Sequence, residues 1–175
     1  MNSLKQKFLI IKLSSIGDIV HALPFLRTLR ANRPNAYIAW IIEESFQDLI
    51  KCNPDLDEVI PVRTRYWRKN INIKSWNEIY QTRKLLKKRE FDWTFDLQGL
   101  IKTGFIARMT GAPNRAGFHR SNCREKINAW FNNHRSKYLS TDSHIVDRCL
   151  SQLSILGDFP HQAEFSLPIR EKDEH

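Results

Sequence analysis

The segment Ser14–Asp18 (Ser-Ser-Ile-Gly-Asp) places two hydroxyls, a glycine and a carboxylate directly after the apolar run Phe8–Leu13. The hydroxyls and the glycine can turn the chain tightly, and the free amides at the start of a following helix can bind an anion. Asp18 stands at that helix start, where a carboxylate acts either as an N-terminal cap or as a general base. The segment has one glycine and matches neither GxGxxG nor GxxxxGK[ST], which argues against a nicotinamide or P-loop nucleotide enzyme.

A second group of candidate residues is a run of cations interleaved with aromatic side chains in the loop expected after a third strand. Its members are Arg63, Arg65, Tyr66, Trp67, Arg68, Lys69, Lys74 and Trp76, and no acidic residue precedes Glu78. Arginine forks suit phosphate or carboxylate oxygens, so cations without counterions indicate an anionic ligand. A solvated surface and a single-stranded nucleic-acid site are the alternatives. At the ligand edge of a sheet, the run fits a phosphorylated small substrate better than a polymer.

Four further sets of polar residues are candidates. A second cationic cluster, which could close over the same ligand, comprises Arg115, His119, Arg120, Arg124 and Lys126. The basic end of a surface helix, either a solvated face or a contact with an anionic membrane surface, comprises Lys84, Lys87, Lys88 and Arg89. His21 could share a helix face with Asp18, or it could be a structural helix residue with a local hydrogen bond. Asp96 and Gln98 end a strand and could bind substrate or cap the next helix, with Gly99 turning the chain.

Alternating strands and helices must position these residues. Continuous apolar or β-forming runs predict strands at 8–13, 37–42, 58–62 and 93–97, and a short strand at 115–118. Helical patterns cover 19–29, a short segment from Ser45, 77–88, 100–109 and 144–156, the last ended by Gly157. Pro24 should kink the first helix or place its regular part downstream, and Pro61 indicates an edge strand or a strand end. The alternation predicts a doubly wound α/β domain with a parallel sheet and a ligand beyond the carboxyl ends of its strands.

The composition limits the class of protein. The chain has 175 residues, 41% of them hydrophobic, and a net charge of +9, which suits one folded domain. Residues 63–137 hold eighteen basic and five acidic side chains, so the excess positive charge lies there. No apolar run approaches the roughly 20 residues that span a bilayer, and Lys12 interrupts the first one, so we expect a cytoplasmic protein. The three cysteines form no CxxC pair, which argues against a disulfide framework and a zinc site.

Four segments resemble, in order and spacing, the N-terminal half of the bacterial lipopolysaccharide heptosyltransferases of glycosyltransferase family 9. They are IIKLSSIGDIVHALPFLRTLR, EVIPVRTRYWRK, FDLQGLIKTGFIARMTG and HIVDRCLSQLSILG. The resemblance runs from Phe8 to Gly157, and RYWRK favours the enzyme that adds the first heptose. It implies a GT-B enzyme with two Rossmann-like domains facing across a cleft. Such an enzyme transfers heptose from ADP-heptose to the Kdo sugars of the lipid A inner core, with inversion and without an essential metal.

Carried onto this sequence, the resemblance makes Asp18 the base that removes the proton from the acceptor hydroxyl. The acceptor-binding residues would be Ser14, Ser15, Gly17, Arg65, Arg68, Lys69, Gln98 and Arg124. The resemblance also implies no cofactor and no essential metal. The donor substrate ADP-heptose would be bound mainly by a C-terminal domain that this chain lacks. Residues 1–160 would form the acceptor-binding domain, residues 161–175 would begin the interdomain connection, and the chain alone would be inactive.

The expected partners are Kdo-lipid A, ADP-heptose and the inner face of the cytoplasmic membrane, to which the protein would attach peripherally. No nucleic acid is expected by this hypothesis. The alternative is a non-catalytic module that binds an anionic glycolipid, a membrane surface or nucleic acid.

Overall fold

A six-stranded parallel sheet forms the centre of the computed structural model, which describes residues 5–140 and 142–157. The strands are β1 (Lys7–Ile11), β2 (Tyr37–Glu43), β3 (Glu58–Val62), β4 (Trp93–Asp96), β5 (Asn114–Gly117) and β6 (His134–Arg135). Their order is β3-β2-β1-β4-β5-β6, and all neighbours pair in parallel. This is the strand order of the doubly wound dinucleotide-binding fold, so the predicted α/β class is confirmed.

Helices make the crossovers that parallel strands require. They are α1 (Ile16–Val20), α2 (Leu23–Asn32), α3 (Thr64–Lys69), α4 (Ile73–Arg89), α5 (Ile101–Thr110) and α6 (Ile145–Ser151), and 3₁₀ helices cover Glu44–Leu49, Arg120–Asn122, Lys126–Trp130 and Gln152–Leu156. Pro24 lies in the first turn of α2, where its missing N–H breaks no helical hydrogen bond. It therefore separates α1 from α2, as predicted.

Alternate residues of β1 enter two hydrophobic cores, one on each face of the sheet. Phe8 and Ile10 pack in the core that contains residues of α1, α2 and α6, while Leu9 and Ile11 pack in the core with residues of α4 and α5. All four side chains are fully buried. This double coverage explains why the strand sequence is continuously apolar rather than alternating. β3 is an edge strand, which agrees with the position of Pro61 in it.

The first strand and the segment after β3 differ from the sequence prediction. β1 ends at Ile11, two residues early, because the amide of Leu13 donates to the side chain of Gln98 (2.7 Å). Residues 64–69, predicted as a loop, form α3. The buried carboxylate of Glu43 supports the start of this helix by accepting hydrogen bonds from the Thr64 hydroxyl (2.6 Å) and the Arg65 amide (3.1 Å).

The later helices also differ at their ends. α4 begins at Ile73, four residues before the predicted start, because the side chain of Asn72 caps it by accepting from the amide of Ser75 (3.0 Å). The helix predicted over 144–156 is split into α6 and a 3₁₀ turn, and it ends at Gly157 (φ 127°) as predicted. The two-residue strand β6 is too short to have a periodic signal, and the sequence analysis missed it.

Gly104 allows α5 to approach the 3₁₀ segment Lys126–Trp130 closely. A Cβ on Gly104 would lie 2.7 Å from a ring carbon of Phe131 and 2.9 Å from the side-chain Nδ2 of Asn128. Without such a clash, an alanine in a helix interior would gain about 1 kcal/mol over glycine. Here overpacking should dominate, so we expect Gly104→Ala to lower the free energy of unfolding by about 1 to 3 kcal/mol in urea titrations.

The matched control is Gly17→Ala in α1, where an added Cβ meets no atom within 4 Å. We expect this variant to unfold at the same or a slightly higher urea concentration than the wild type. A Gly104→Ala protein as stable as Gly17→Ala would contradict the proposed close approach.

Candidate functional site

The crevice between the carboxyl ends of β1 and β4 is the candidate site. These two strands are neighbours in the sheet, and the chain leaves them toward opposite edges, to β2 and to β5. Ligands of doubly wound sheets bind at this point of divergence. Residues 12–18 follow β1, and residues 97–99 follow β4. The structure therefore places Asp18 and Gln98, both predicted from sequence, at one edge of the sheet.

Asp18 is held by two cations and one serine. Its Oδ1 accepts a hydrogen bond from Arg124 (2.7 Å) and lies 3.8 Å from the ammonium of Lys12. Its Oδ2 accepts from the amide and the hydroxyl of Ser15, at 3.2 and 3.3 Å. Ser15 is the N-cap of α1, and Asp18 is the third helical residue, whose side chain completes the capping box. Asp18 therefore does cap this helix start, but not as the N-cap itself. Asp18 sits one turn later and turns its carboxylate back to the cap residue.

The environment of Asp18 favours its charged form. Burial alone would raise the pKa of Asp18, but Lys12, the hydrogen bonds of Ser15 and the charge of Arg124 outweigh burial and lower it. The side chain is 13% exposed and that of Arg124 is 52% exposed, so the ion pair between them borders solvent. At neutral pH the crevice thus presents a carboxylate that is paired with a half-exposed arginine.

Lys12 is a site residue that the sequence analysis missed. Its side chain is 1% exposed, and its ammonium donates to the carbonyl oxygen of Leu97 (2.6 Å) near Asp18. Burial lowers the pKa of Lys12, while the charge of Asp18 acts in the opposite direction. The available signal in the sequence is the position of this lysine at the end of a continuous apolar run.

Asp96 and Gln98 organise the other wall of the crevice. Asp96 is fully buried and its carboxylate accepts from the amides of Gln98 (3.0 Å) and Gly99 (3.1 Å) and from the Thr103 hydroxyl (2.9 Å). Burial raises the pKa of Asp96, and these hydrogen bonds act against that rise. Gln98 accepts from the amide of Leu13 and donates to the carbonyl oxygen of Ser14. Gln98 thus joins the two loops of the crevice.

The predicted acceptor-binding residues Arg65 and Arg68 lie together on α3. With Lys102 they line a cavity of about 220 Å³, whose other wall consists of Thr64, Trp67, Ile79, Phe105, Ile106 and Met109. Burial lowers the pKa of Lys102, and the charges of Arg68 and Arg65 lower it further against the opposing effect of Glu43. Lys102 is a second cation of the site that sequence reasoning missed. Lys69 is exposed at the end of α3, outside the lining of this cavity.

Several cations of the predicted clusters have partners within the protein. The expectation that the first run lacks counterions is wrong for Arg63, which lies 3.6 Å from Glu44 and 3.3 Å from Glu78. Within residues 5–140 and 142–157, Arg65, Arg68 and Lys69 form no ion pair. Arg115 donates to the carbonyl oxygens of Phe131 and Ala112, at 2.9 and 2.7 Å, and therefore supports the fold rather than closing over a ligand.

The segment 119–125 brings only Arg124 of the second cluster to Asp18. Glu125 fixes this segment to α5 by accepting from the amide of Ile101, beside Lys102. The Arg124 and Lys102 groups thus adjoin the same helix start.

His21 packs its ring against that of His144 (5.3 Å between centroids, edge-on), and the structure shows no hydrogen bond between His21 and Asp18. The alternative of a local structural role fits His21 better than a role with Asp18.

Other classes of site are not evident in the described part of the chain. Its histidine, cysteine and acidic side chains form no group of three that could hold a metal ion. Cys52, Cys123 and Cys149 are free thiols, and burial raises the pKa of the latter two to about 11. None of the described helices is both long enough and apolar enough to cross a membrane.

Residues 79–175 match the family model of glycosyltransferase family 9 (heptosyltransferase). The chain belongs to glycosyltransferase family 9. Lipopolysaccharide heptosyltransferase 1 of Pseudomonas aeruginosa is 32% identical over 159 residues, which are 88% of this chain and 43% of the relative. The enzyme of the same name from Escherichia coli K12 is 30% identical over 145 residues, 81% of this chain and 44% of the relative. The resemblance stated from the sequence motifs is confirmed.

Solved structures of the family have the same fold. The E. coli heptosyltransferase WaaC with ADP-2-deoxy-2-fluoro heptose matches 91% of this chain and 51% of its own, with a TM-score of 0.83 and 28% identity. The E. coli ADP-heptose lps heptosyltransferase II matches 96% of this chain and 48% of its own, with a TM-score of 0.70 and 22% identity. The chain spans about half the length of these relatives.

Arg124→Ala should raise the pKa of Asp18, because the arginine is one of the groups that lower it. The folded-state pKa of Asp18 lies below its ordinary value of 3.8, so its ionisation stabilises the fold above that pH. This contribution is lost as the pH falls through the folded-state pKa, and Arg124→Ala should reduce it. An NMR titration of the Asp18 carboxyl carbon measures the change directly.

Lys126→Ala, which removes an exposed cation two residues away, is the matched control and should leave the pKa of Asp18 unchanged. The same pKa in Arg124→Ala as in the wild type would show that the ion pair does not act on Asp18 in solution.

Proposed function

We propose that this chain is the acceptor-binding half of an inverting heptosyltransferase that acts in lipopolysaccharide core synthesis. The observation that carries the proposal is the carboxylate of Asp18, held at the β1–β4 crevice by Lys12 and Arg124 in a chain of this family. By this proposal residues 1–160 form the acceptor domain and residues 161–175 begin the connection to a donor domain. The boundary lies outside the described residues.

Asp18 acts in this proposal as the general base for the acceptor hydroxyl. Because the pKa of Asp18 is lowered, the carboxylate is ready to accept a proton but is a weak base while Arg124 remains on it. An acceptor carboxylate or phosphate would compete for the exposed Arg124 guanidinium. Loss of that ion pair would raise the pKa of Asp18, so binding of an anionic acceptor would itself strengthen the base. The proton leaves the hydroxyl as its oxygen attacks the anomeric carbon of the heptose and the bond to ADP breaks.

The remaining predicted residues would hold the acceptor. Arg65 and Arg68 adjoin, with Lys102, a cavity whose wall is mostly apolar, and they form no ion pair within the described residues. Their guanidinium groups would therefore suit the phosphates and carboxylates of Kdo-lipid A at the rim of this cavity. Lys69 would add positive charge at the edge of that cavity. Ser14, Ser15, Gly17 and Gln98 would shape the crevice floor, since Gln98 already bonds the backbone at Ser14.

ADP-heptose is the proposed donor and would be bound mainly by a second domain of the kind that the longer relatives have room for. The chain covers 43% of the P. aeruginosa relative, and we therefore propose that it transfers no heptose alone. Neither a cofactor nor a metal is part of the proposed reaction. We place the protein at the cytoplasmic side of the inner membrane, attached peripherally, because the proposed acceptor is an anionic glycolipid.

Arg65→Ala and Arg68→Ala should each weaken binding of a water-soluble phosphorylated Kdo disaccharide by about tenfold to a hundredfold, as expected for a lost charge-assisted hydrogen bond. Isothermal titration calorimetry with the 175-residue chain measures the affinity. Arg108→Ala removes an exposed arginine from the last turn of α5 and should bind like the wild type. Equal affinities for all four proteins would contradict the proposed acceptor site.

Asp18→Asn should abolish base catalysis without removing the side chain. We propose a chimaera of residues 1–157 with the C-terminal half of the P. aeruginosa relative, and a measurement of heptose transfer from ADP-heptose to Kdo-lipid A. The chimaera should be active, and Asp18→Asn should slow it by about 10²–10⁴-fold. Near-normal transfer by Asp18→Asn would remove Asp18 from the role of base.

Two further outcomes bear on the rest of the proposal. Heptose transfer by the 175-residue chain alone would contradict the half-enzyme proposal. Salt-sensitive binding of single-stranded DNA would instead favour a nucleic-acid-binding module.

A further inference from the structure

The outer face of α4 and the residues just before it carry large apolar side chains in water. Ile71, Ile73, Trp76 and Tyr80 are 81%, 88%, 63% and 60% exposed, and we call these four residues the docking row. With 3.6 residues per turn, positions 73, 76 and 80 fall on one side of the helix. The opposite side is the one that packs, through the buried Ser75 and Leu86. The row is therefore not part of either hydrophobic core.

Cations extend and border the docking row. Arg83, Lys84 and Lys87 continue the same helix face by the same spacing, and all three are exposed. Lys69 and Lys74, also exposed, flank its beginning. The sequence has no acidic residue between Glu58 and Glu78.

The one acid of α4, Glu78, is directed away from the docking row. Its carboxylate accepts a hydrogen bond from the Trp67 indole (2.8 Å) and lies 3.3 Å from Arg63, both within the protein. The outer face therefore combines apolar side chains with cations that form no ion pair within the part of the chain that the structure describes. Its electrostatic complement is an anionic surface with an apolar interior.

We propose that this face docks on an anionic phospholipid bilayer. The docking row enters the boundary between headgroups and acyl chains, where tryptophan and tyrosine are favoured, and Lys69, Lys74, Arg83, Lys84 and Lys87 contact the headgroups. Each such cation is worth about fivefold in affinity for an anionic membrane. A second copy of the chain fits less well, since a two-fold contact through this face would bring the same cations together. The aliphatic Ile71 and Ile73 offer no stacking surface to nucleic acid.

The inference deepens the proposed function and rests on it for its biological meaning. α3, with Arg65 and Arg68, precedes α4 by three residues and contacts it through Trp67 and Glu78. A bilayer bound to the docking row would hold these arginines near the headgroup layer, where an anionic glycolipid acceptor presents its sugars. Binding of plain phospholipid is a separate property and can be tested without any sugar.

The test is co-sedimentation of the 175-residue chain with vesicles of phosphatidylcholine and phosphatidylglycerol, or of phosphatidylcholine alone. We expect binding to the anionic vesicles that weakens with salt, and much weaker binding to phosphatidylcholine. Ile73→Glu/Trp76→Glu should weaken binding to anionic vesicles by at least about tenfold, because it puts two carboxylates in the docking row. Lys84→Ala/Lys87→Ala should weaken it by about 25-fold at low salt, at fivefold for each cation.

The matched control is Ile127→Glu/Trp130→Glu, the same pair of residue types at the same spacing on another exposed segment, 49% and 72% exposed. It should bind vesicles like the wild type, and circular dichroism should show that all variants are folded. Ile73→Glu/Trp76→Glu should still bind the soluble Kdo disaccharide, which separates docking from the acceptor site. Equal vesicle binding by Ile73→Glu/Trp76→Glu and Ile127→Glu/Trp130→Glu, or no binding by the wild type, would overturn the inference. If the wild type is a dimer and Ile73→Glu/Trp76→Glu is the variant that becomes a monomer, the docking row is assigned to self-association instead.

Discussion

Burial of the Asp96 carboxylate at the end of β4 is the constraint on which the candidate site depends. A buried carboxylate is costly unless donors surround it, and here each donor comes from a segment that must be correctly placed. The donors are the amides of Gln98 and Gly99, the hydroxyl of Thr103 and the side-chain amide of Asn128. The turn after β4, the start of α5 and the 3₁₀ segment 126–130 therefore meet at one residue. Through Gln98 this arrangement extends to Ser14 and so to the loop that carries Asp18.

The cations of the chain lie in three different physical environments, which differ in burial. Lys12 is enclosed and acts on one carboxylate, Asp18, in surroundings where solvent screens little. Arg65 and Arg68 border a cavity together with Lys102, where the three cations raise the local positive potential. The lysines of α4 lie in solvent beside exposed apolar side chains. A net charge of +9 alone does not distinguish these environments.

Most of the fold could be predicted because its signals are local. Five of the six strands and the main helices follow from apolar runs, helical spacing, Pro24 and Gly157, each of which acts on its own neighbourhood. α3 was missed because its start depends on Glu43, which is distant in sequence and reaches Thr64 across the sheet edge. The predicted roles of Arg63 and Arg115 changed for the same reason, since their partners Glu78 and Phe131 are brought to them by tertiary contacts.

The sequence by itself determined the α/β class, the family motifs and the loop that carries Asp18, because residue type and spacing are sufficient for these. Only the tertiary structure decided what surrounds Asp18. Lys12 lies six residues before it, but Arg124 lies 106 residues after it. The two cations meet at one carboxylate because the segment of Arg124, which follows β5, is hydrogen-bonded through Glu125 to Gly99 in the turn after β4, and β4 is the neighbour of β1. The pKa of Asp18, the shared cavity of Arg65 and Lys102 and the unpaired outer face of α4 all depend on such distances, which no local pattern encodes.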